Sequence, residues 1–142
     1  MGFVVNHEKQ QLIQTCLAHL PFIQAIYLFG SWATVDEKAS SDIDIALLFP
    51  VQEARKLSGL YTTPLHQALE KLFSKNIDLI NLRQVSTVLQ KEVISAEQRI
   101  YCADNNAADE FEMLTISYYQ KLNEERADIL QSFYASGRAI RI

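Results

Sequence analysis

The chain has 142 residues and carries 17 acidic against 13 basic side chains, for a formal net charge of −4. That length fits one domain, residues 1–142, around a single core. The acidic balance, with no basic cluster beyond Arg55-Lys56, excludes direct salt-driven binding to a nucleic-acid backbone. No apolar run reaches the ~18 residues that a membrane helix requires, and residues 1–8 lack the basic start and long apolar stretch of a secretory signal. A cytoplasmic protein without membrane contact is the expectation. The two cysteines, Cys16 and Cys102, and the three scattered histidines, His7, His19 and His66, show no zinc-type spacing and read as packing or surface residues.

In chain order, residues 7–20 read as a helix. Asn6 is a good cap, Leu12, Ile13, Cys16, Leu17 and Leu20 share one face, and Pro21 ends it. Residues 24–29 form a short apolar run that stops at Gly30, as a buried strand does. Residues 32–41 are small, polar or charged without a period and read as a loop. Residues 42–49 are the second strand, closed by Pro50. A broken segment with Gly59 follows. Thr63-Pro64 then supplies a cap and a first-turn proline for a helix carrying Leu65, Ala68, Leu69, Leu72 and Phe73 inward. Residues 77–82 are the third strand, 85–95 a helix and 99–102 a short edge strand.

Residues 107–135 read as one long helix that Gly137 could stop. Its apolar stripe is Phe111, Leu114, Tyr118, Leu122, Ile129 and Phe133, with Tyr119, Arg126 and Leu130 beside it. The order α-β-β-α-β-α-β-α implies an α/β (α+β) fold, a mixed sheet flanked by helices. The core spans about 7–102 and the long C-terminal helix follows it.

The chemistry concentrates where the first strand runs into Gly30-Ser31, a loop follows, and the next strand opens with Asp42-Ile43-Asp44. Gly30 lets a phosphate approach the backbone and the chain turn sharply. Backbone N–H groups and the Ser31 hydroxyl can bond phosphate oxygens. Asp42 and Asp44, two apart on a strand, project from one face while Ile43 and Ile45 face the core. Two close carboxylates repel each other, and a hard divalent ion such as Mg²⁺, shared with substrate phosphates, resolves the conflict. Asp78 lies within an otherwise apolar strand, where an unpaired charge is costly. If that strand lies beside the second one, Asp78 reaches the same site as a ligand of a two-ion centre or as general base. Gly-Ser alone is a common turn and Asp-x-Asp a common strand edge; their combination is far more specific.

Gly-Ser, ten residues, then Asp-x-Asp resembles the signature of the nucleotidyltransferase superfamily related to DNA polymerase beta. The short chain is similar to its minimal, or MNT, branch over roughly residues 10–102. The resemblance implies that Gly30 and Ser31 contact nucleotide phosphates, that Asp42 and Asp44 bind Mg²⁺, and that Asp78 is the third acidic position. Many relatives place arginines and a glycine after the Gly-Ser, where this chain has Trp32, Thr34 and Val35. Lys38, Lys75 and Arg83 are the candidates to neutralise the triphosphate in their stead. Trp32 is expected to pack rather than stack on a ligand.

Only about 35 residues remain beyond the core, too few for a second substrate domain, so the acceptor is expected on another protein. The aromatics Tyr118, Tyr119, Phe133 and Tyr134 make the C-terminal helix either a cover for the sheet or a partner surface. Short chains of this kind resemble the antitoxins of HEPN–MNT toxin–antitoxin pairs. That resemblance implies a Mg²⁺-dependent protein adenylyltransferase that moves AMP from ATP to a tyrosine of a HEPN ribonuclease toxin. Two alternatives stand beside it: a small-molecule (aminoglycoside-like) nucleotidyltransferase, and an idle antitoxin that neutralises by binding alone.

Overall fold

The computed structural model describes residues 6–30, 42–57, 59–60 and 63–136. Its elements are α1 (Asn6–His19), β1 (Ala25–Phe29), β2 (Ile43–Leu48), α2 (Val51–Lys56), α3 (Pro64–Phe73), β3 (Ile77–Asn81), α4 (Thr87–Ser95), β4 (Arg99–Cys102) and α5 (Asn105–Ser136). The expected order holds apart from α2, which fills part of the broken segment. Ser31, Trp32, Lys38, the expected loop 32–41 and the Gly137 stop lie outside the described residues.

The four strands form one sheet in the order β3-β2-β1-β4. β1 runs antiparallel to β2 and β4, and β2 runs parallel to β3. The sheet is therefore mixed, as expected. Alternation along the strands sends side chains to two cores. Ile26, Leu28, Ile43, Ile45, Ile77 and Leu79 meet α1 and α3 through Leu12, Cys16, Leu65 and Leu69. Tyr27, Phe29, Ala46 and Leu48 meet α4 and α5 through Val93, Ala108 and Phe111. Burial pushes the Cys16 thiol up to about 12, as suits a packing residue.

Thr63 caps α3 by accepting from the His66 N–H, and Pro64 opens the helix. α2 has no side-chain cap at its start. Its last carbonyls are instead held from a distance: Asn81 Nδ2 donates to Ala54 O at 3.0 Å and Leu57 O at 3.1 Å, and Gln84 Nε2 donates to Ala54 O at 2.7 Å.

α5 is pinned to the sheet by a polar cluster. Tyr27 Oη donates to Glu112 Oε2 at 2.7 Å, and Arg99 Nη1 donates to Glu112 Oε2 at 2.8 Å and Asp109 Oδ1 at 3.1 Å. Burial, followed by Glu112, pushes the Tyr27 phenol up, so it stays a neutral donor. The face of α5 that turns inward differs from the expected stripe. Ala108, Phe111 and Thr115 are buried, Tyr119 and Leu122 are half-buried, and Leu114, Tyr118 and Ile129 are exposed. Small side chains at 108 and 115 let the helix approach closely, and a pattern built from large apolar residues overlooks them. Beyond Leu122 the helix is exposed almost throughout.

Candidate active site

Three carboxylates meet at the end of the sheet where β1 stops and β2 and β3 begin. The parallel register places Asp44 directly beside Asp78. Both alternate with residues of the α1/α3 core, Ile43, Ile45, Ile77 and Leu79, and so project from the opposite, α4/α5 face. Asp42 precedes β2 by one residue, with the same parity as Asp44. The strand adjacency on which Asp78 depended is thus present. A cavity of about 400 Å³ opens here, lined by Asp42, Asp44, Asp78, His66, Glu70 and Asn76.

Gly30 ends β1 with φ +70°, a left-handed conformation. A Cβ built on it would lie 2.0 Å from Asp44 Oδ2 and 3.0 Å from Asp44 Cγ. The Asp44 carboxylate therefore rests on the bare Cα of Gly30. The glycine serves the turn and also makes the space that this carboxylate occupies. The register Phe29↔Asp44 brings Gly30 and Asp44, fourteen residues apart in sequence, together.

The electrostatics follow from this crowding. Asp44 is raised to about 6, first by burial, then by Asp78, Asp42 and Glu92. Asp78 is also raised, first by burial and then by Asp42. Each raised value means that the folded state disfavours the ionised form. In the ligand-free protein the Asp44 charge therefore costs nothing well below its ordinary value of 3.8; the cost grows between 3.8 and about 6 and is fully present above that. Asp44→Asn removes it. The variant is expected to melt higher than wild type at pH 7.5, with a gap that closes by pH 4, as thermal denaturation followed by circular dichroism will show.

Of the cations expected near the triphosphate, Arg83 is elsewhere. Its Nε donates to Phe49 O, its Nη2 donates to Gln24 Oε1 at 3.0 Å, and its guanidinium stands 5.4 Å from the Phe111 ring centroid. Gln24 and Phe49 mark the other end of β1 and β2, about 17 Å away at strand spacing. Arg83 thus anchors the far end of the sheet, away from the carboxylates, and is not a phosphate contact. Lys75 sits in the α3–β3 turn beside Asn76 of the cavity. His7 and His19 are exposed as expected, but His66 is buried and lines the acidic cavity.

The residues 10–106 match the model of the family described as polymerase beta, nucleotidyltransferase. The chain belongs to the polymerase-beta nucleotidyltransferase family. It is 33% identical over 132 residues to a protein adenylyltransferase, MntA, of Shewanella oneidensis, covering 92% of this chain and 91% of that one. Among solved structures it is similar to a toxin–antitoxin with AMP-PNP, at TM-score 0.68 and 29% identity, covering 92% of this chain and 99% of the other. It is also similar to a chain of the tri-AMPylated Shewanella oneidensis HEPN toxin in complex with MNT antitoxin, at TM-score 0.61 and 29% identity, covering 89% of this chain and 95% of that chain. The fold of this nucleotidyltransferase, with its mixed sheet, flanking helices and long C-terminal helix, is that of these relatives.

Among the described residues no group of three or more His, Cys, Asp or Glu side chains is already set to hold a metal ion. The donor set nevertheless has the chemistry for Mg²⁺. Hard oxygen ligands stand in one cavity, and burial followed by carboxylate repulsion raises the pKa of Asp44 and Asp78. Mg²⁺ is ordinarily held by one or two carboxylates together with substrate phosphates, rather than by a complete protein cage.

Proposed function

We propose that this nucleotidyltransferase is the antitoxin of a HEPN–MNT pair, a protein adenylyltransferase that moves AMP from ATP to a tyrosine of a HEPN-type toxin. The observation that carries this reading is the acidic centre at Gly30, Asp42, Asp44 and Asp78, in a chain that is 33% identical to an MntA adenylyltransferase over nearly its whole length. In the reaction the acceptor oxygen bonds to the α-phosphorus of ATP, the bond to the β-phosphate oxygen breaks, pyrophosphate leaves, and the hydroxyl proton is taken up by a base.

Gly30 and Ser31 are assigned to the phosphates, through backbone approach and the Ser31 hydroxyl. Asp42 and Asp44, with Asp78 as third ligand, are assigned to Mg²⁺, two ions in the full centre. Mg²⁺ held there would supply neutralisation of phosphate charge and activation of the attacking oxygen. Asp78 also suits the role of base, because its raised pKa brings it closer to the working pH than an ordinary aspartate. The acceptor comes from the partner. The exposed apolar residues of α5, with Met113 at 62%, Tyr118 at 59% and Tyr134 at 74%, give that partner part of its contact surface. None of the helices among the described residues is long and apolar enough to cross a membrane, and the cytoplasm, where ATP and the toxin's RNA substrate occur, is the proposed compartment.

An idle binding module has no use for a carboxylate cluster in which burial and acidic neighbours disfavour the charges of Asp44 and Asp78, and this favours catalysis over neutralisation by contact alone. The test is the fate of label. ATP labelled at the α-phosphate should place its label on the HEPN partner, and γ-labelled ATP should release its label as pyrophosphate. Label from the γ position on the partner, or a partner left without α-label, would refute the assignment.

A further inference from the structure

His66 is 9% exposed and occupies the third position of α3, where its own N–H bonds the Thr63 cap. Its Nε2 lies 2.8 Å from the carbonyl oxygen of Ile77. A carbonyl only accepts, so Nε2 carries the hydrogen and donates it. Ile77 is the first residue of β3, and the next residue is Asp78.

The geometry of β3 shows why this bond matters. β3 is an edge strand with β2 as its neighbour on one side only. The Ile43 N–H takes the carbonyl of Asn76. Carbonyls alternate in direction along a strand, so the Ile77 carbonyl turns away from β2 towards the free edge. There it meets His66. The Ile77 carbonyl and the nitrogen and Cα of Asp78 belong to one planar peptide unit. Holding that oxygen fixes the plane from which Asp78 departs. The imidazole also lines the cavity that Asp42, Asp44 and Asp78 share, and Glu70 Oε2 lies 3.7 Å from its Nε2.

We propose that His66 is a positioning residue, which orients Asp78 by clamping the Ile77 carbonyl from the α3 side. The proposal rests on the reading of Asp78 as part of the reaction centre. His66 touches no reacting atom, and it acts through the peptide unit.

Three substitutions separate the clamp from simple packing. His66→Gln keeps an N–H donor at similar reach. His66→Asn keeps the amide but falls one methylene short, and His66→Leu fills the space without a donor. The Asn and Leu variants should lower kcat by about tenfold, the usual scale for a residue that orients a metal ligand. KM for ATP should change by less than about twofold, because ground-state nucleotide binding is untouched. The Gln variant should stay within about threefold of wild type. In an Asp78→Asn background, His66→Leu should cost nothing further.

A readout independent of transfer is the NMR signal of the Asp78 amide and carboxyl carbon in the full chain. The Leu and Asn variants should move both signals, and Gln should leave them near wild type. Equal effects of Gln and Asn, or unmoved Asp78 signals in the Asn or Leu variant, would overturn the clamp. Where His66→Leu does not fold, the Gln–Asn pair decides alone. Absence of transfer by wild type speaks against the proposed function and not against the clamp, which the Asp78 signals still decide.

Discussion

Replacing Asp42 and Asp44 together by asparagine should lower AMP transfer by about 10³-fold or more while leaving the chain folded. Under the proposed assignment these two carboxylates would hold the Mg²⁺ that stabilises the phosphate charge. Removing several kcal/mol of that stabilisation, at about 1.4 kcal/mol per factor of ten, gives that scale. Stability should move the other way. Asp44 is raised to about 6 by burial and by its acidic neighbours, so neutralising it relieves the ligand-free fold at neutral pH. A variant that melts higher than wild type and transfers almost nothing is the expected pair of results. Purified protein assayed with labelled ATP and partner, beside a thermal melt at pH 7.5, measures both. A double variant with wild-type transfer would remove the carboxylates from the mechanism.

Gly30→Ala should be nearly as damaging, for a different reason. At φ +70° an L-residue costs about 1–2 kcal/mol, which the fold can absorb. The steric demand is the larger effect. The new Cβ would stand 2.0 Å from Asp44 Oδ2, an overlap that only movement of the carboxylate or of the β1 end can relieve. Either movement displaces a proposed metal ligand. Transfer should fall by at least about 100-fold, the upper end of what misorienting a metal ligand costs, with only a modest drop in melting temperature. Activity within a few-fold of wild type would show that Asp44 can leave its seat on Gly30 without harm.

Much of this was legible in the sequence because local signals agreed with the global fold. Apolar runs closed by Gly30 and Pro50 marked β1 and β2, and Thr63-Pro64 marked the start of α3. The spacing of Asp42 and Asp44 put them on one face, and the strand pairing then set Asp78 beside Asp44. What stayed hidden depends on contacts distant in sequence. α2 is closed by Asn81 and Gln84, some thirty residues away, and carries no cap of its own at its start. The inward face of α5 is set by the close fit at Ala108 and Thr115, so Leu114 and Tyr118, which a search for large apolar residues turns inward, face out. Arg83 was a plausible phosphate contact by type alone, and only the register shows it at the wrong end of the sheet. His66 was missed because a lone histidine in a helix carries no signal. Its meaning comes from the outward carbonyl of Ile77, which the topology creates.

The most direct test of the central claim is the intact mass of the HEPN-type partner after incubation with this protein, ATP and Mg²⁺. The partner should become heavier by whole multiples of one adenylyl group, with the modification mapping to tyrosine and absent when Asp42 and Asp44 are replaced. An unchanged partner mass, under conditions where this chain binds both ATP and the partner, would contradict that claim.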